Sequence, residues 1–527
     1  MAALQLDKHI EVLVPKQRTS TAATYWHRST ATSKTKDDTM EYTELADYPL
    51  PTGQLSTWQF TDDASQWSED ERSLSINHED HLREVLRAEK TNAEQGLPSV
   101  YEDWIGGAFV IHQPLRTDAF REALTTWFSR HEAYRTTAVA NDRDEATTSF
   151  TRYTLGSSAV DVSRNDFGVY HDDQLLRHEI HRHFAQHVNG IGWPHVTVAT
   201  IEPEVEAAQE FTVIFAADHA VMDAYTQLFT IAELRELYAA AVDKREPALP
   251  PAGSYVDFCA GERAVTESAS ARERAVEEWK EFLTGADGHL APPVFPLPIR
   301  SDAESGSATP ADQHRAQHSL SQWLLNEKDI SELGKRAKAN GGSTKSALLT
   351  ALKLALTELS PVSSARYIMP MHTRHEPKYM LSAGWFVGLM PVDDPLNGAS
   401  SFTEAFSDTV QATKRHRDLS VYPYAAVSDA LHINEPPRFV ISYVDTRFVP
   451  GADTWGDHDR ALRSSVMSDD DVYIWLNRTG EGLNVSMRYP NNAQAEESIA
   501  AFLSRFAAII HSVVTTGDYA AAVPVRA

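Results

Sequence analysis

The sequence predicts a protein of mixed α/β class, built from two halves that are joined by a proline-rich crossing. The chain has 527 residues, which is too long for one hydrophobic core and favours roughly two to four domains. In both halves, segments with the periodicity of strands alternate with segments that have the periodicity of helices. Between the halves, residues 291–312 contain Pro292, Pro293, Pro296, Pro298 and Pro310. Such a proline-rich stretch is typical of a linker between two folded parts.

The first half is predicted over residues 46–290, after a polar extension. Residues 1–45 are rich in Thr, Ser and Lys, so we expect them to be loosely ordered. Helices are predicted from about Thr117, with Phe120, Leu124, Trp127 and Phe128 on one face, and over residues 224–241. Folding signals begin near residues 55–60, and strands are predicted at residues 107–111, 195–201 and 211–217.

The second half is predicted over residues 313–527 and repeats the alternation. Residues 344–359 form a strongly apolar helix in this prediction, and a last helix places Ile499, Phe502, Phe506, Ile509 and Val513 on one face. A turn at residues 480–482 separates two alternating segments and predicts a hairpin. Strands are predicted at residues 366–371, 384–392, 439–444 and 471–477.

Composition narrows the classes of function. The net charge of −26 and the pI of about 5.2 argue against a nucleic-acid binder and against docking on an anionic membrane. A single cysteine, Cys259, allows no intramolecular disulfide, so the prediction is a reducing compartment. Since we find neither a signal-peptide pattern nor an apolar run approaching the ~18 residues of a membrane span, we expect a cytoplasmic protein.

The segment most suggestive of chemistry follows the predicted strand at residues 211–217. That apolar run ends in Asp218 and His219, and Asp223 follows four residues after His219. Three interpretations compete at this point. His219 could be a histidine that is hydrogen-bonded at a strand end, or a metal ligand together with Asp223, although no second spaced pair supplies the further ligands and the prediction is no metal. It could also be a general base, because imidazole exchanges protons near neutral pH.

The context of this segment distinguishes the alternatives. Residues 218–224 (DHAVMDA) resemble the His-His-x-x-x-Asp-Gly motif of the chloramphenicol-acetyltransferase-like superfamily, which includes nonribosomal condensation domains and polyketide-associated protein acyltransferases. Residues 130–136 (RHEAYRT) resemble a helix end of condensation domains, and residues 382–392 resemble their Gly-x-Phe-x-Asn-x-x-Pro segment, with Gly388 in place of Asn. Residues 441–447 and 472–479 look most like the polyketide-associated group. These segments occur in the family's order, and the resemblance covers the chain from about Leu55 onward.

The resemblance implies a fold and a set of roles. The fold would be two chloramphenicol-acetyltransferase-like lobes, each a mixed sheet with flanking helices, meeting at a central tunnel. His219 would be the catalytic base, and Asp223 would pair with an arginine to support the loop that carries it. Arg374 matches the position of the family's arginine partner, and Arg366 is the alternative partner for Asp223. The oxyanion and substrate candidates are Ser442, Trp385, Asp218 and Ala224, of which the last two replace the motif's first His and its Gly; Trp475 is a further tunnel candidate.

The activity implied is transfer of an acyl group from a thioester to a hydroxyl or amine acceptor in lipid or secondary-metabolite biosynthesis. The donor would be an acyl-CoA or a phosphopantetheine thioester on an acyl carrier protein acting in trans, so no bound cofactor is expected. An alternative is a freestanding condensation-type enzyme that joins carrier-bound units through an amide or ester. A further alternative is an inactive docking platform. Because one chain would contain both lobes, a monomer would suffice.

Overall fold

The computed structural model describes residues 41–94, 104–141, 148–188, 190–205, 208–285, 287–300, 316–433, 435–456 and 458–519. The strands are β1 (Glu41–Glu44), β2 (Gly53–Asp62), β3 (Trp67–Asp70), β4 (Trp104–Ile111), β5 (Thr136–Ala140), β6 (Phe150–Leu155), β7 (Val160–Tyr170), β8 (Val196–Glu202), β9 (Phe211–Asp218), β10 (His318–Asn326), β11 (Ser364–His372), β12 (Val387–Pro395), β13 (Phe439–Asp445), β14 (Arg460–Arg463), β15 (Val472–Arg478) and β16 (Gly482–Tyr489). The helices are α1 (Ile76–Glu94), α2 (Thr117–Arg130), α3 (Asp173–His187), α4 (Ala224–Asp243), α5 (Tyr255–Thr266), α6 (Ala269–Leu283), α7 (Glu327–Ala339), α8 (Thr344–Leu359), α9 (Phe402–Arg415), α10 (Tyr424–Leu431) and α11 (Ala493–Thr516).

Two large mixed sheets organise the described residues, and the predicted α/β class is confirmed. The first sheet has the strand order β1-β14-β4-β9-β8-β2-β7, and the second has the order β10-β16-β15-β13-β11-β12. A small third sheet, β3-β6-β5, lies in the first half of the chain. The first sheet is mixed because β1 pairs parallel with β14, and the second because β13 pairs parallel with both β11 and β15.

Strand β14 crosses between the halves. It comes from the second half of the chain, yet it pairs with β4 and β1 in the first sheet. Its partner β1 lies inside the extension that was expected to be loosely ordered, so the structure differs from that prediction at residues 41–44. Four residues with little periodicity gave no sign of a strand whose partner is more than 400 positions away. Residues 1–40 of the extension and 301–312 of the predicted linker lie outside the described residues.

The apolar patterns of the sequence mark the two cores. Phe120, Leu124, Trp127 and Phe128 of α2 are buried against the first sheet. In the second half, α8 has the predicted bounds, and α11 buries the five apolar residues that the pattern placed on one face. Helix α11 is also long and apolar enough to cross a membrane by composition, with a mean hydropathy of 1.5. Because its apolar side packs in the core of the second sheet, we assign it to that core.

One ion pair is enclosed in this second core. The ammonium of Lys353 in α8 donates to Asp394 of β12 at 2.7 Å and to the carbonyl of Ala405 at 3.0 Å, and both side chains of the pair are fully buried. A buried charge is tolerated only when it is paired and hydrogen-bonded. The pair therefore fixes α8 against β12 inside an otherwise apolar environment.

We expect Lys353→Met to lower the free energy of unfolding by about 3–5 kcal/mol, because it leaves the Asp394 carboxylate buried without a partner. The double variant Lys353→Met/Asp394→Leu should recover most of that loss. Denaturant unfolding of both variants provides the measurement, with the exposed Lys335→Met of α7 as control. Equal losses in the single and double variants would contradict the argument.

Candidate active site

The candidate site is built on the turn that joins β9 to α4. All eight residues of β9 are buried, so the strand is a rigid support for whatever follows it. Asp218 closes the short 3-10 turn by accepting a hydrogen bond from the N–H of Ala220 at 2.8 Å. Asp223 caps α4 by accepting one from the N–H of Thr226 at 2.8 Å. His219 therefore lies between two capping carboxylates that fix the backbone on either side of it.

The side chain of His219 lies at the contact between the two halves of the chain. It is half-buried, and its ring centroid is 4.6 Å from that of Trp385, with the two planes tilted by 43°. Its Nδ1 is buried and has no hydrogen-bond partner among the described residues. Because the ring is only half-buried and its Nδ1 is not engaged in the fold, the imidazole has no structural hydrogen bond to give up and can take part in general-base chemistry.

Asp223 and Arg374 form a buried, bidentate ion pair. The Arg374 guanidinium donates to the two carboxylate oxygens of Asp223 at 2.5 and 2.9 Å, and both side chains are 1% exposed. The N–H of Phe386 donates to the same carboxylate at 3.0 Å. Burial alone would raise the pKa of Asp223, but Arg374 and the backbone N–H groups hold that pKa below its ordinary value. Asp223 is therefore an anion whose oxygens are engaged by Arg374 and Phe386 of the second half of the chain.

This geometry also bears on the alternative of a metal site. Both oxygens of Asp223 are engaged by Arg374 and by backbone N–H groups, so the carboxylate has no free direction for a shared ion with His219. Across the described ranges, no cluster of three His, Cys, Asp or Glu side chains has metal-binding geometry.

A strand was predicted over residues 384–392, but β12 begins at Val387, and residues 382–386 form a loop. Hydrogen bonds to other elements hold this loop in place. The N–H of Phe386 donates to Asp223, and the N–H of Ala383 donates to Nδ1 of His131 at 3.2 Å. Gly384 has φ +148°, and a Cβ there would lie 2.4 Å from the ring of Tyr255. These tertiary contacts outweigh the strand propensity of the segment, and they present Trp385 to His219.

His131 clamps this loop to α4. Because its Nδ1 accepts from Ala383, the neutral ring carries its proton on Nε2, which lies 2.8 Å from Oε2 of Glu233. Arg130 donates to the other oxygen of Glu233 at 2.9 Å. Burial alone would raise the pKa of Glu233, but His131 and Arg130 lower it. The RHE segment noted in the sequence therefore joins α2, α4 and the Trp385 loop.

His81 is a site residue that the sequence did not single out. Its Nε2 lies 2.9 Å from Oδ1 of Asp218, and both side chains are 3% exposed. Its ring also contacts Trp385, at 5.8 Å between centroids. Burial alone would raise the pKa of Asp218, but His81, His195 and the N–H of Ala220 lower it to about 2. His81 lies on α1, whose polar sequence gave no signal, and only the fold brings it to Asp218.

The remaining residues that were predicted for the site lie in different parts of the structure. Ala224 is the half-buried first residue of α4. Arg366 donates to the carbonyl of Phe282 and does not reach Asp223, so the alternative partner is wrong. Ser442 lies in β13 beside Trp475 of β15, and the described contacts do not link either residue to His219.

The substitution of Gly388 for the family's Asn has a steric reason. A Cβ at Gly388 would lie 1.7 Å from the carbonyl oxygen of Ser420. The turn that contains Ser420, at Arg417–Val421, packs directly on this part of β12. No side chain larger than hydrogen fits there unless the turn moves.

Known proteins resemble the chain in both sequence and structure. The family model of the condensation domain matches residues 105–522. Acyltransferase PapA3 of Mycobacterium tuberculosis is 27% identical over 326 residues, which cover 60% of this chain and 66% of that protein. Trehalose-2-sulfate acyltransferase PapA2 of Mycobacterium tuberculosis is 25% identical over 315 residues, which cover 58% of this chain and 64% of that protein. The chain thus spans just under two thirds of the length of these relatives.

The solved structure of PapA2 acyl transferase superposes with a TM-score of 0.75 and 21% identity, covering 90% of this chain and 100% of that one. A superposition of this extent at low identity shows that the two proteins share a fold.

We expect Asp223→Ala to lower the free energy of unfolding by about 3–5 kcal/mol, because Arg374 would remain buried without its carboxylate. The matched control is Asp118→Ala, which removes an exposed ion pair with Arg121 and should cost less than about 1 kcal/mol. Denaturant unfolding compares the two. Similar small losses in both variants would show that Asp223 does not brace the turn.

The Asp218–His81 contact predicts a dependence of stability on pH. Since the folded state holds the pKa of Asp218 at about 2, below its ordinary 3.8, the carboxylate stabilises the fold above about pH 4. That contribution is lost as the pH falls through about 2. Thermal unfolding of wild type and Asp218→Asn should therefore differ most at pH 5 and converge toward pH 2. A difference that stays constant over this range would refute the assignment.

Proposed function

The chain belongs to the condensation-domain family, and from that membership we propose that it is an acyltransferase that moves an acyl group from a thioester to an acceptor hydroxyl or amine. The observation that carries the proposal is the state of His219: it follows a buried strand, it is fixed by two capping carboxylates, and its Nδ1 has no partner among the described side chains and backbone groups. In a histidine with only a structural role, the ring nitrogens would be hydrogen-bonded to other groups of the protein.

The proposed reaction uses His219 as both base and acid. The imidazole takes the proton from the acceptor's O–H or N–H as that atom attacks the thioester carbonyl carbon. The tetrahedral intermediate then collapses, the C–S bond breaks, and the departing thiolate takes the proton from His219. A base of this kind contributes about 10²–10⁴-fold to the rate. The acyl group leaves the donor as an ester or amide of the acceptor, and the donor leaves as a thiol.

Other residues have supporting roles in this proposal. Asp223 and Arg374 hold the turn and the Trp385 loop together, so neither needs to touch a substrate. Trp385 forms one wall beside the base. Ser442 is the candidate donor to the oxyanion, and its neighbours support that position: Ser442 lies on the same face of β13 as Val444, which packs on the core of the first half. Asp218 and Ala224 flank the base and are candidates for substrate selection.

The class of acceptor is proposed from the relatives. The name of PapA2 specifies trehalose-2-sulfate, and that of PapA1 of Mycobacterium bovis specifies a 2'-acyl-2-O-sulfo-trehalose. Both are polar sugar derivatives with free hydroxyls. We therefore place this chain in lipid assembly with a hydroxyl acceptor, and with an acyl-CoA or an acyl carrier protein in trans as donor. A condensation-type reaction that forms an amide is the second candidate, supported by the family model itself.

We expect purified wild-type protein to release thiol from an acyl-CoA or an acyl-phosphopantetheine protein and to form an acylated sugar alcohol, detected by mass. His219→Ala should lower kcat by about 10²–10⁴-fold because the proton transfer is lost. Its thermal midpoint should stay close to that of wild type, since Nδ1 of the His219 ring has no hydrogen-bond partner within the described structure. The exposed His112→Ala, on the surface beside Glu210, is the control and should react like wild type.

Two results would change the assignment. If wild type and His219→Ala transfer acyl groups equally slowly from every donor, the catalytic role of His219 is wrong and the proposal fails. If amines are acylated and sugar hydroxyls are not, the condensation-type reaction replaces the hydroxyl acceptor.

A further inference from the structure

The second sheet has one apolar face and one polar face. The apolar face packs on α8 and α11 in the core. On the opposite face, residues that pair across neighbouring strands form two successive rows of polar and aromatic side chains: Ser319, Arg488 and Tyr473 in the first, and Ser321, Ser486, Trp475 and Ser442 in the second. Ser486 is buried, Ser321 is exposed and the other five are half-buried, so this face is only partly covered by protein.

Arg463 of β14 reaches this face from the first sheet. It is 6% exposed, its Nη2 donates to Ser319 at 2.8 Å, and its guanidinium lies 4.3 Å from the ring centroid of Trp475. Its Nε and Nη1 are buried and have no hydrogen-bond partner among the residues described. Two unsatisfied N–H groups on a buried cation are rare, since each should cost the full desolvation of a charged donor.

Arg488 adds a second cation at the same place. Its guanidinium lies 5.4 Å from the centroid of the same Trp475 ring, and its Nε is also buried without a partner in the described structure. No described carboxylate lies within ion-pair distance of Arg463 or Arg488. Burial and the neighbouring Arg488 lower the pKa of Arg463 to about 9, while Glu44 opposes that shift.

The local charge is therefore unbalanced. Arg463 is buried and Arg488 is half-buried, and Glu44 is the one carboxylate among the groups that shift the pKa of Arg463. Buried charges of one sign are stable only when an opposite charge is supplied. The whole chain carries a net charge of −26, so a buried positive site is not a consequence of composition.

The register of the first sheet places this site near the candidate base. Arg463 pairs with Ile105 of β4, and Ile105 pairs with Ala217 of β9. Two strand spacings separate Arg463 from Ala217, which is about 10 Å, and Ala217 is two residues from His219. On the second sheet, Trp475 pairs with Ser442. A substrate of ordinary size could contact both the arginines and the base.

We propose that Arg463 and Arg488 bind an oxyanion, a phosphate, sulfate or carboxylate group, that is carried by a substrate of the His219 site. A guanidinium presents several N–H donors in a plane and matches the geometry of such groups. The unpaired Nε and Nη1 of Arg463 and the Nε of Arg488 are the donors that would face the anion. Two carriers fit this chemistry: the phosphate of a pantetheine-type donor, or an anionic substituent of the acceptor. The inference rests on the proposed function only for the identity of the carrier.

The first experiment measures anion binding without any turnover. Calorimetric titration of the full chain with sulfate and with phosphate, at constant ionic strength in chloride, should give saturable binding in wild type. Arg463→Met and Arg488→Met should each weaken binding at least tenfold. Arg447→Met, which removes an arginine already paired with Asp445 at the surface, is the control and should bind like wild type. Equal affinity in all four proteins, or no saturable binding in wild type, overturns the proposal.

Thermal unfolding separates a ligand site from a structural brace. If Arg463 serves a ligand, Arg463→Met should unfold at the wild-type temperature or higher without anion, since it removes an uncompensated buried charge. It should also lose the stabilisation that sulfate gives to wild type. A lower unfolding temperature with unchanged stabilisation by sulfate overturns the proposal. If Arg463→Met does not fold, Arg463→Lys and Arg488→Met give the same comparison, and undiminished anion binding in both is the contrary result.

Coenzyme A and pantetheine distinguish the two carriers. If the donor's phosphate occupies the site, coenzyme A should bind wild type at least tenfold more tightly than Arg463→Met, and pantetheine, which lacks phosphate, should bind both equally. If coenzyme A binds both proteins equally while sulfate still requires Arg463, the anion belongs to the acceptor. Because these are binding measurements, they stand even if no acyl transfer is detected, so failure of the proposed function and failure of this inference are separate results.

Discussion

The arrangement of the site depends on one buried carboxylate. Asp223 accepts four hydrogen bonds, from the Thr226 N–H, the Phe386 N–H and two nitrogens of Arg374. These bonds join the start of α4, in the first half of the chain, to two segments of the second half: the loop before β12 and the segment after β11. Because a carboxylate buried among these groups is stable only when all of them are in place, the position of His219 and that of Trp385 are fixed together.

At the other end of the turn, Asp218 supports His219 through a different set of contacts. The motif's first position carries Asp218, and this carboxylate both caps the turn and contacts His81 of α1. The acidic side chain therefore extends the support of His219 to a third element, and Trp385 contacts the rings of both histidines. The change from His to Asp at this position is accommodated by pairing with a histidine supplied from elsewhere in the fold.

Local patterns predicted those parts of the fold that depend on local periodicity. Helix α8 and the apolar face of α11 follow from spacing alone, and Arg374 could be placed opposite Asp223 because a family motif supplies a long-range partner. What the sequence could not reveal depends on contacts between distant, short or polar segments. Strand β14 has four residues, His81 lies on a helix of mostly polar residues, and Arg463 looks like one arginine among many until the sheet pairing places it beside Trp475.

The same limit explains why the sequence pattern marks a site at the end of β9 but not on the second sheet. A strand that is buried on both faces, such as β9, is a continuous apolar run, and its end marks the site. Strands β15 and β16 alternate, and alternation normally means one face toward the core and one toward water. Here Arg463 of β14 packs on part of the second face, so polar side chains beside it are partly removed from water and need partners. Asn477, Asn484 and Ser486 bond to one another, although Oδ1 of Asn477 has no partner in the described structure. Arg463 and Arg488 also keep unpaired donors. What makes this face a candidate binding site is its charge: two neighbouring guanidinium groups keep unpaired donors, and no described carboxylate lies within ion-pair distance of either.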